Sequence, residues 1–112
     1  MVSRVDLHIH STASDGRLSP AEIVAKAAGL GLTVIALTDH DTTDGIAPAR
    51  AAADDFPGLR VIPGVELSAD FAQGEVHILG YFIDGTHQEL RAGLEAMRNS
   101  RSERAREMIG KL

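Results

Sequence analysis

Short runs rich in Val, Ile and Leu recur along the chain and alternate with more polar segments. The runs are VDLHIH, TVIALTD, LRVIPGVEL and EVHILGYFI. Helical patterns separate the first three runs, and this alternation is typical of parallel strands that are joined by crossover helices. The pattern of apolar and polar positions therefore predicts an α/β fold.

The segments between the runs carry signals for helix ends. Ser19 and Glu22 have the spacing of a capping box, which predicts a helix over about residues 20–30. A weaker pattern predicts a second helix at about residues 46–55, in which Pro48 must lie near the first turn because proline disrupts a helix interior. Both helices fit the crossover connections of an α/β fold.

The last part of the chain reads as helical. From Thr86 to Leu112 the apolar residues recur near helical spacing, with Arg and Glu between them, and this predicts a long helix or a helical pair at about residues 86–112. Because Glu alternates with Arg, we interpret the charged positions as a solvated face with salt bridges, not as a nucleic-acid patch.

Composition narrows the possible chemistry. A chain of 112 residues fits one small domain, and without cysteine any metal must be bound by nitrogen and oxygen ligands. The net charge of -5 disfavours a broad phosphate-binding surface of the kind that dominates non-specific nucleic-acid binding. No signal-peptide pattern and no run near the roughly 18 apolar residues of a membrane span is seen, so we expect a cytoplasmic location.

The first run carries two histidines. Side chains alternate across a strand, so His8 and His10 share one face while Val5, Leu7 and Ile9 share the other, apolar face. Such an H-x-H pair can place two imidazole nitrogens on one metal ion. On this motif alone, a pair of hydrogen-bonded or exposed histidines without a metal is an equally good interpretation.

Further ligand-type side chains accompany the other runs. Asp15 follows the first run, His40 lies between Asp39 and Asp41 after the second, Glu66 closes the third, and His77 lies in the fourth. In sheets built from βα units, functional groups gather at the carboxyl ends of the strands.

Taken singly, Glu66 could be an ordinary charge at a strand exit and His77 a core histidine bonded to backbone. Taken together, the candidate residues indicate one site on one face of the sheet. They are His8, His10, Asp15, His40, Glu66 and His77.

The motifs DLHIHSTASDG, ALTDHDT, PGVELSA and VHILGYFID resemble successive motifs of the PHP (polymerase and histidinol phosphatase) family. The nearest likeness is to the small TrpH-like bacterial phosphoesterases, which act on nucleoside 3',5'-bisphosphates or short RNA 5' ends. The resemblance implies that residues 1–112 form the N-terminal part of a single PHP domain. That domain is a distorted seven-stranded β/α barrel with up to three divalent metal ions at the carboxyl ends of its strands.

The resemblance also implies a role for each candidate residue. His8 and His10 would bind the first metal ion, Glu66 would bridge the first and second, His77 would join the second, and Asp15 with His40 would hold the third. The catalytic residues implied are Glu66, Asp15 and His40. In many family members a histidine stands where this chain has Asp15.

The family's remaining ligands, a His and an Asp-x-His motif, come from later motifs that these 112 residues do not contain. His87 is the one other histidine, and we interpret it as a surface or capping residue. We therefore expect the 112-residue chain alone to bind metal more weakly than a complete domain and to be inactive.

The implied reaction is hydrolysis of a small nucleotide phosphate, or of a short RNA end, by metal-activated water. Mn²⁺ is our first choice of cofactor, and Zn²⁺ or Fe²⁺ would also suit the ligands. No membrane partner is expected, and the oligomeric state is open. The alternatives are a histidinol-phosphate phosphatase, a polymerase-associated exonuclease domain, and a non-catalytic metal-binding half-barrel fragment.

Overall fold

The structure, a computed structural model, describes residues 4–71 and 74–110, with the side chains of 69–71 and 101–110 left undescribed. Strands and helices alternate in the first half of the chain. The elements are β1 (Val5–Ile9), α1 (Pro20–Gly29), β2 (Val34–Leu37), α2 (Ile46–Ala53), β3 (Arg60–Phe71), β4 (Gly74–Tyr81) and α3 (Gln88–Gly110).

The strands form one sheet in the order β1-β2-β3-β4. β1 pairs with β2 and β2 pairs with β3 in parallel, whereas β3 pairs with β4 in antiparallel orientation. The hydroxyl of Tyr81 on β4 donates to the carbonyl of Leu7 on β1 at 2.8 Å, although these strands would lie about 14 Å apart in a flat sheet. The sheet is therefore curled into a half-barrel, and the predicted α/β class is confirmed.

The predicted helix starts agree closely with the structure. Ser19 caps α1, and its side chain and that of Glu22 form the reciprocal bonds of a capping box. Gly31 has a φ of 78°, so it ends α1 in the left-handed conformation that favours glycine. The second helix begins at Ile46, with Pro48 in its first turn, and it ends slightly earlier than predicted, at Ala53.

The hydrophobic core lies between the sheet and the two crossover helices. Its buried members come from α1, α2, β2, the start of β3 and the residue just before β3: Ile23, Val24, Ala27, Ile35, Leu37, Ala49, Leu59 and Val61. The first strand contributes less, because it lies at the edge of the described sheet. Val5 and Leu7 are 50% and 41% exposed, whereas Ile9 packs against the core. The apolar face predicted for β1 is thus covered only at its carboxyl end.

Two strands differ from the sequence-based prediction. Glu66 does not close the third strand, because antiparallel pairing with β4 extends β3 to Phe71. His77 likewise lies in the interior of β4, opposite Ser68. Both residues nevertheless lie beyond Leu37, the last residue of β2, so they project past the carboxyl end of the parallel part of the sheet.

The final segment forms one continuous helix, α3, in place of the alternative helical pair. It begins at Gln88, where the ring of His87 accepts a hydrogen bond from the amide of Leu90 at 3.4 Å, and this confirms the capping interpretation of His87. Residues 111–112 of the predicted helix lie outside the described residues. Within the described residues, no helix is both long enough and apolar enough to cross a membrane.

Candidate metal centre

The carboxylate of Glu66 lies at the centre of the candidate site. Glu66 is 3% exposed, and four imidazole rings surround its two oxygens. His8 and His10 approach Oε1 at 2.5 and 3.2 Å. His40 and His77 approach Oε2 at 3.0 and 2.6 Å. One buried carboxylate thus joins ligand-type side chains from β1, β4 and the loop that follows β2.

Backbone hydrogen bonds hold the loop after β2 against β3. His40 and Glu66 form an isolated parallel bridge, the amide of Glu66 donates to the carbonyl of Asp39 at 3.0 Å, and the amide of Asp41 donates to the carbonyl of Glu66 at 2.9 Å. The loop therefore continues the sheet ladder beyond β2. This extension places the ring of His40 beside the Glu66 carboxylate.

Asp15 joins the site from the loop that follows β1. Its carboxylate lies 2.8 Å from Nδ1 of His10 and 3.1 Å from Nε2 of His40. The loop turns sharply at Gly16, where an added Cβ would lie 2.2 Å from the carbonyl oxygen of His10. A glycine is needed there, because the loop folds back against the backbone of β1 to bring Asp15 over the two rings.

Buried hydrogen bonds to Asp39 also hold the loop that carries Asp15. Asp39 is 2% exposed and accepts hydrogen bonds from the amide and the hydroxyl of Ser11 at 2.5 and 2.7 Å. The hydroxyl of Ser14 adds a third bond to Asp39 at 2.8 Å. These bonds connect Asp39 to the loop that carries Asp15.

The electrostatics of the site favour ionised carboxylates. Burial alone would raise the pKa of the Glu66 carboxyl, but hydrogen bonds from His77 and His8, with smaller contributions from the other two rings, hold this pKa below its usual range. Desolvation also acts to raise the pKa of Asp15. The hydrogen bond from His10 and the attraction of His40 outweigh it, so the pKa of Asp15 is lowered as well. Both groups therefore offer anionic oxygens near neutral pH.

The six predicted residues form three overlapping groups, each with ligand atoms within 4.8 Å of one another. The groups are His8, His10 and Glu66; His10, Asp15 and His40; and His40, Glu66 and His77. Each combines imidazole nitrogen with carboxylate oxygen, the donor set that suits Mn²⁺, Zn²⁺ or Fe²⁺. The residues present therefore fit divalent cations.

The structure also brings in residues that the sequence patterns did not identify. Arg98 of α3 donates from Nη1 to the carbonyl oxygen of Asp41 at 2.5 Å, and Ser68 Oγ lies 3.4 Å from Nδ1 of His40. One signal for Arg98 was present in the sequence: it follows Leu94 by four residues, and residues four apart share a helix face. Leu94 is buried, so this face of α3 is turned toward the domain.

Comparison with known proteins identifies the family. Residues 6–108 match the PHP domain. The chain is 45% identical over 107 residues to a 3',5'-nucleoside bisphosphate phosphatase of Chromobacterium violaceum, a match that covers 96% of this chain and 37% of the relative. It is also 45% identical over 112 residues to a 5'-3' exoribonuclease of Haemophilus influenzae, covering 100% of this chain and 40% of that protein.

Solved structures agree with this result. A protein of Bifidobacterium adolescentis, assigned as a metal-dependent phosphoesterase, superposes with a TM-score of 0.85 at 31% identity. The match covers 99% of this chain and 38% of that protein. The described half-barrel thus corresponds to part of a PHP barrel, and the chain spans about two fifths of the length of the curated relatives it matches.

Proposed function

Because this chain belongs to the PHP domain family, we propose that it supplies metal-binding residues to a metal-dependent phosphoesterase. The proposed substrate is a small nucleotide phosphate, either a nucleoside 3',5'-bisphosphate or a short RNA 5' end. The observation that carries the proposal is the placement of Glu66, buried and within 3.2 Å of four imidazoles. The two relatives named for a bisphosphate phosphatase and a 5'-3' exoribonuclease support the substrate class.

We further propose that residues 1–112 form the N-terminal part of a single PHP domain. The curated relatives align to this chain over only 37% and 40% of their own lengths. The exposed apolar side chains of Val5 and Leu7 on edge strand β1 are consistent with additional structure beside this strand. Activity, substrate and partners are proposed for the complete domain, and the 112-residue chain alone is proposed to be inactive.

Each proposed metal ligand has a distinct position. His8 and His10 would hold a first ion, Glu66 would bridge it to a second that His77 also holds, and Asp15 with His40 would hold a third. His10, His40 and Glu66 each belong to two of the three groups, so these side chains connect the three proposed ligand sets. We propose Mn²⁺ as the cofactor, with Zn²⁺ or Fe²⁺ as chemically acceptable substitutes, and a cytoplasmic location.

Bound divalent ions would supply an activated water and neutralise charge on the leaving oxygen of a phosphoester. The chain's own residues prepare the site for this chemistry. Glu66 and Asp15 are held ionised by their imidazole neighbours, so they can bind cations without first losing a proton. The Asp39 network keeps the Asp15 loop in place. Residues 1–112 contain no cysteine that could act as a covalent nucleophile.

Metal binding is the first test of this proposal. Mn²⁺ is titrated by calorimetry into the wild-type chain, Glu66→Gln, and Glu95→Gln as a control at an exposed glutamate of α3. We expect Glu66→Gln to weaken Mn²⁺ binding by at least about tenfold, because the central anionic oxygens are lost, whereas Glu95→Gln matches wild type. Equal Mn²⁺ affinity in all three proteins would contradict the assignment of Glu66.

Hydrolysis is tested in a complete domain. Residues 6–108 of this chain replace the matching segment of the Chromobacterium violaceum relative, and phosphate release from adenosine 3',5'-bisphosphate is measured with Mn²⁺. We expect the chimera to release phosphate and its Glu66→Gln variant to be inactive. A folded chimera that binds Mn²⁺ but releases no phosphate from the bisphosphate would refute the proposed substrate.

A further inference from the structure

A cavity of about 440 Å³ opens beside the candidate metal centre. Its walls include Asp15, His40 and His77 from the proposed metal ligands, together with Ser68, Glu75 and Arg98. The cavity is open to solvent, and α3 supplies Arg98 to its wall. A molecule in this cavity would therefore contact the ligand side chains and the helix together.

The guanidinium of Arg98 is held at the wall of this cavity. Its Nη1 donates to the carbonyl oxygen of Asp41, the residue that follows His40. The Arg98 side chain is half-buried. An arginine carries five N–H donors in a rigid fork, so the contact with Asp41 leaves donors for a ligand. The hydrogen bond thus orients the guanidinium while its other N–H groups can still donate to a ligand.

The charges around the cavity make Arg98 the side chain there that is suited to bind a phosphate group. Of the described residues that line it, only Arg98 is an arginine or a lysine, whereas Asp15 and Glu75 contribute carboxylates. A phosphate group in the cavity would be repelled by both carboxylates. An arginine beside them offers a permanent positive charge and a planar fork that matches two phosphate oxygens.

We propose that Arg98 binds the phosphate group of the substrate in this cavity. The inference rests on the proposed function, because it places that phosphate next to the proposed metal ligands. It also assigns α3 a part in substrate binding. Arg98 is then a substrate-binding residue, unlike the solvated arginines predicted for this helix.

Arg91 provides the matched control on the same helix. It lies about two turns before Arg98, its side chain is exposed, and its nearest described ion-pair partner is Asp44 at 3.8 Å. It does not line the cavity beside the metal centre. Substituting Arg91 therefore removes the same charge from α3 without changing the proposed phosphate contact.

The test uses inorganic phosphate as the probe. Four proteins are compared: the wild-type chain, Arg98→Gln, Arg98→Lys and Arg91→Gln. Mn²⁺ affinity is measured first by calorimetry, and phosphate is then titrated into each Mn²⁺-loaded protein at constant ionic strength. We expect Arg98→Gln to raise the phosphate Kd about tenfold or more, since both the positive charge and the charge-assisted fork are lost. Arg98→Lys should fall between wild type and Arg98→Gln, because lysine keeps the charge but not the fork.

The outcomes separate this inference from the proposed function. Unchanged Mn²⁺ affinity in all variants, with phosphate binding weakened in Arg98→Gln and retained in Arg91→Gln, supports the inference. Equal phosphate Kd values for Arg98→Gln and Arg91→Gln would overturn it while leaving the metal centre intact. Loss of Mn²⁺ binding in Arg98→Gln would overturn it in favour of a role in positioning the metal ligands. Failure of the wild-type chain to bind Mn²⁺ would instead overturn the proposed function.

Discussion

Replacing the buried carboxylate of Asp39 should destabilise the fold and the metal centre together. Asp39 accepts hydrogen bonds from the Ser11 amide, the Ser11 hydroxyl and the Ser14 hydroxyl at 2.5, 2.7 and 2.8 Å. Ser11 is fully buried, so its two donors have no access to solvent if their acceptor is removed. The Asp39 carboxylate therefore holds the loop that carries Asp15 through hydrogen bonds.

The magnitude follows from the bonds that each variant loses. In Asp39→Ala both Ser11 donors lose their acceptor, and at about 1–3 kcal/mol for each buried unsatisfied group the cost is about 2–6 kcal/mol. Asp39→Asn keeps Oδ1, which accepts from the Ser11 amide and the Ser14 hydroxyl, so its cost should be about 1–2 kcal/mol. The control Asp44→Asn removes an exposed carboxylate whose partner Arg91 is 3.8 Å away, and its cost should stay below about 0.5 kcal/mol.

The assay is urea unfolding followed by circular dichroism, without metal, with free energies taken by linear extrapolation. A parallel Mn²⁺ titration of Asp39→Asn should show weaker binding than wild type, because the loop that places Asp15 beside His10 and His40 loses one of its three bonds to residue 39. If Asp39→Ala unfolds at the same urea concentration as Asp44→Asn, the buried network does not stabilise the fold. If Asp39→Asn is destabilised but binds Mn²⁺ as wild type does, the loop does not depend on Asp39 to position Asp15.

Local patterns in the sequence predicted much of the first half of the fold. Three predicted features depend on short-range patterns in the sequence. They are the capping box at Ser19, the alternation of His8 and His10 with apolar residues, and the βαβ order. Local backbone geometry determines such features, so they can be read directly from the chain. The six candidate ligands were grouped instead by their positions at or near the ends of the apolar runs and by the family resemblance, and the structure brings them together.

Features that depend on distant pairing were not predictable in this way. An apolar run does not reveal the direction of its partner strand, so the antiparallel pairing that extends β3 beyond Glu66 was missed. The role of Asp39 depends on contacts with Ser11, 28 residues earlier. Arg98 contacts Asp41 across 57 residues, and its spacing from Leu94 indicates only which helix face it shares, not which residue it contacts.

Two further predictions concern the turn after β1 and the start of α1. Gly16→Ala should destabilise the fold and weaken Mn²⁺ binding, because its Cβ would lie 2.2 Å from the carbonyl oxygen of His10. The control Gly29→Ala adds a Cβ with no atom within 4 Å, so it should unfold at a urea concentration equal to or above that of wild type. Equal losses in the two variants would show that the turn does not require glycine. Glu22 should make α1 sensitive to acid: its bonds to the amide and hydroxyl of Ser19 hold its pKa below the usual value of 4.5. A carboxyl whose pKa is lowered by folding stabilises the protein above its unfolded pKa and loses that contribution as the pH falls through the folded pKa. Wild type should therefore be more stable than Glu22→Ala in urea unfolding at pH 7, and the difference should shrink below about pH 4. A difference that is the same at pH 7 and pH 3 would show that the ionised carboxylate does not stabilise the cap.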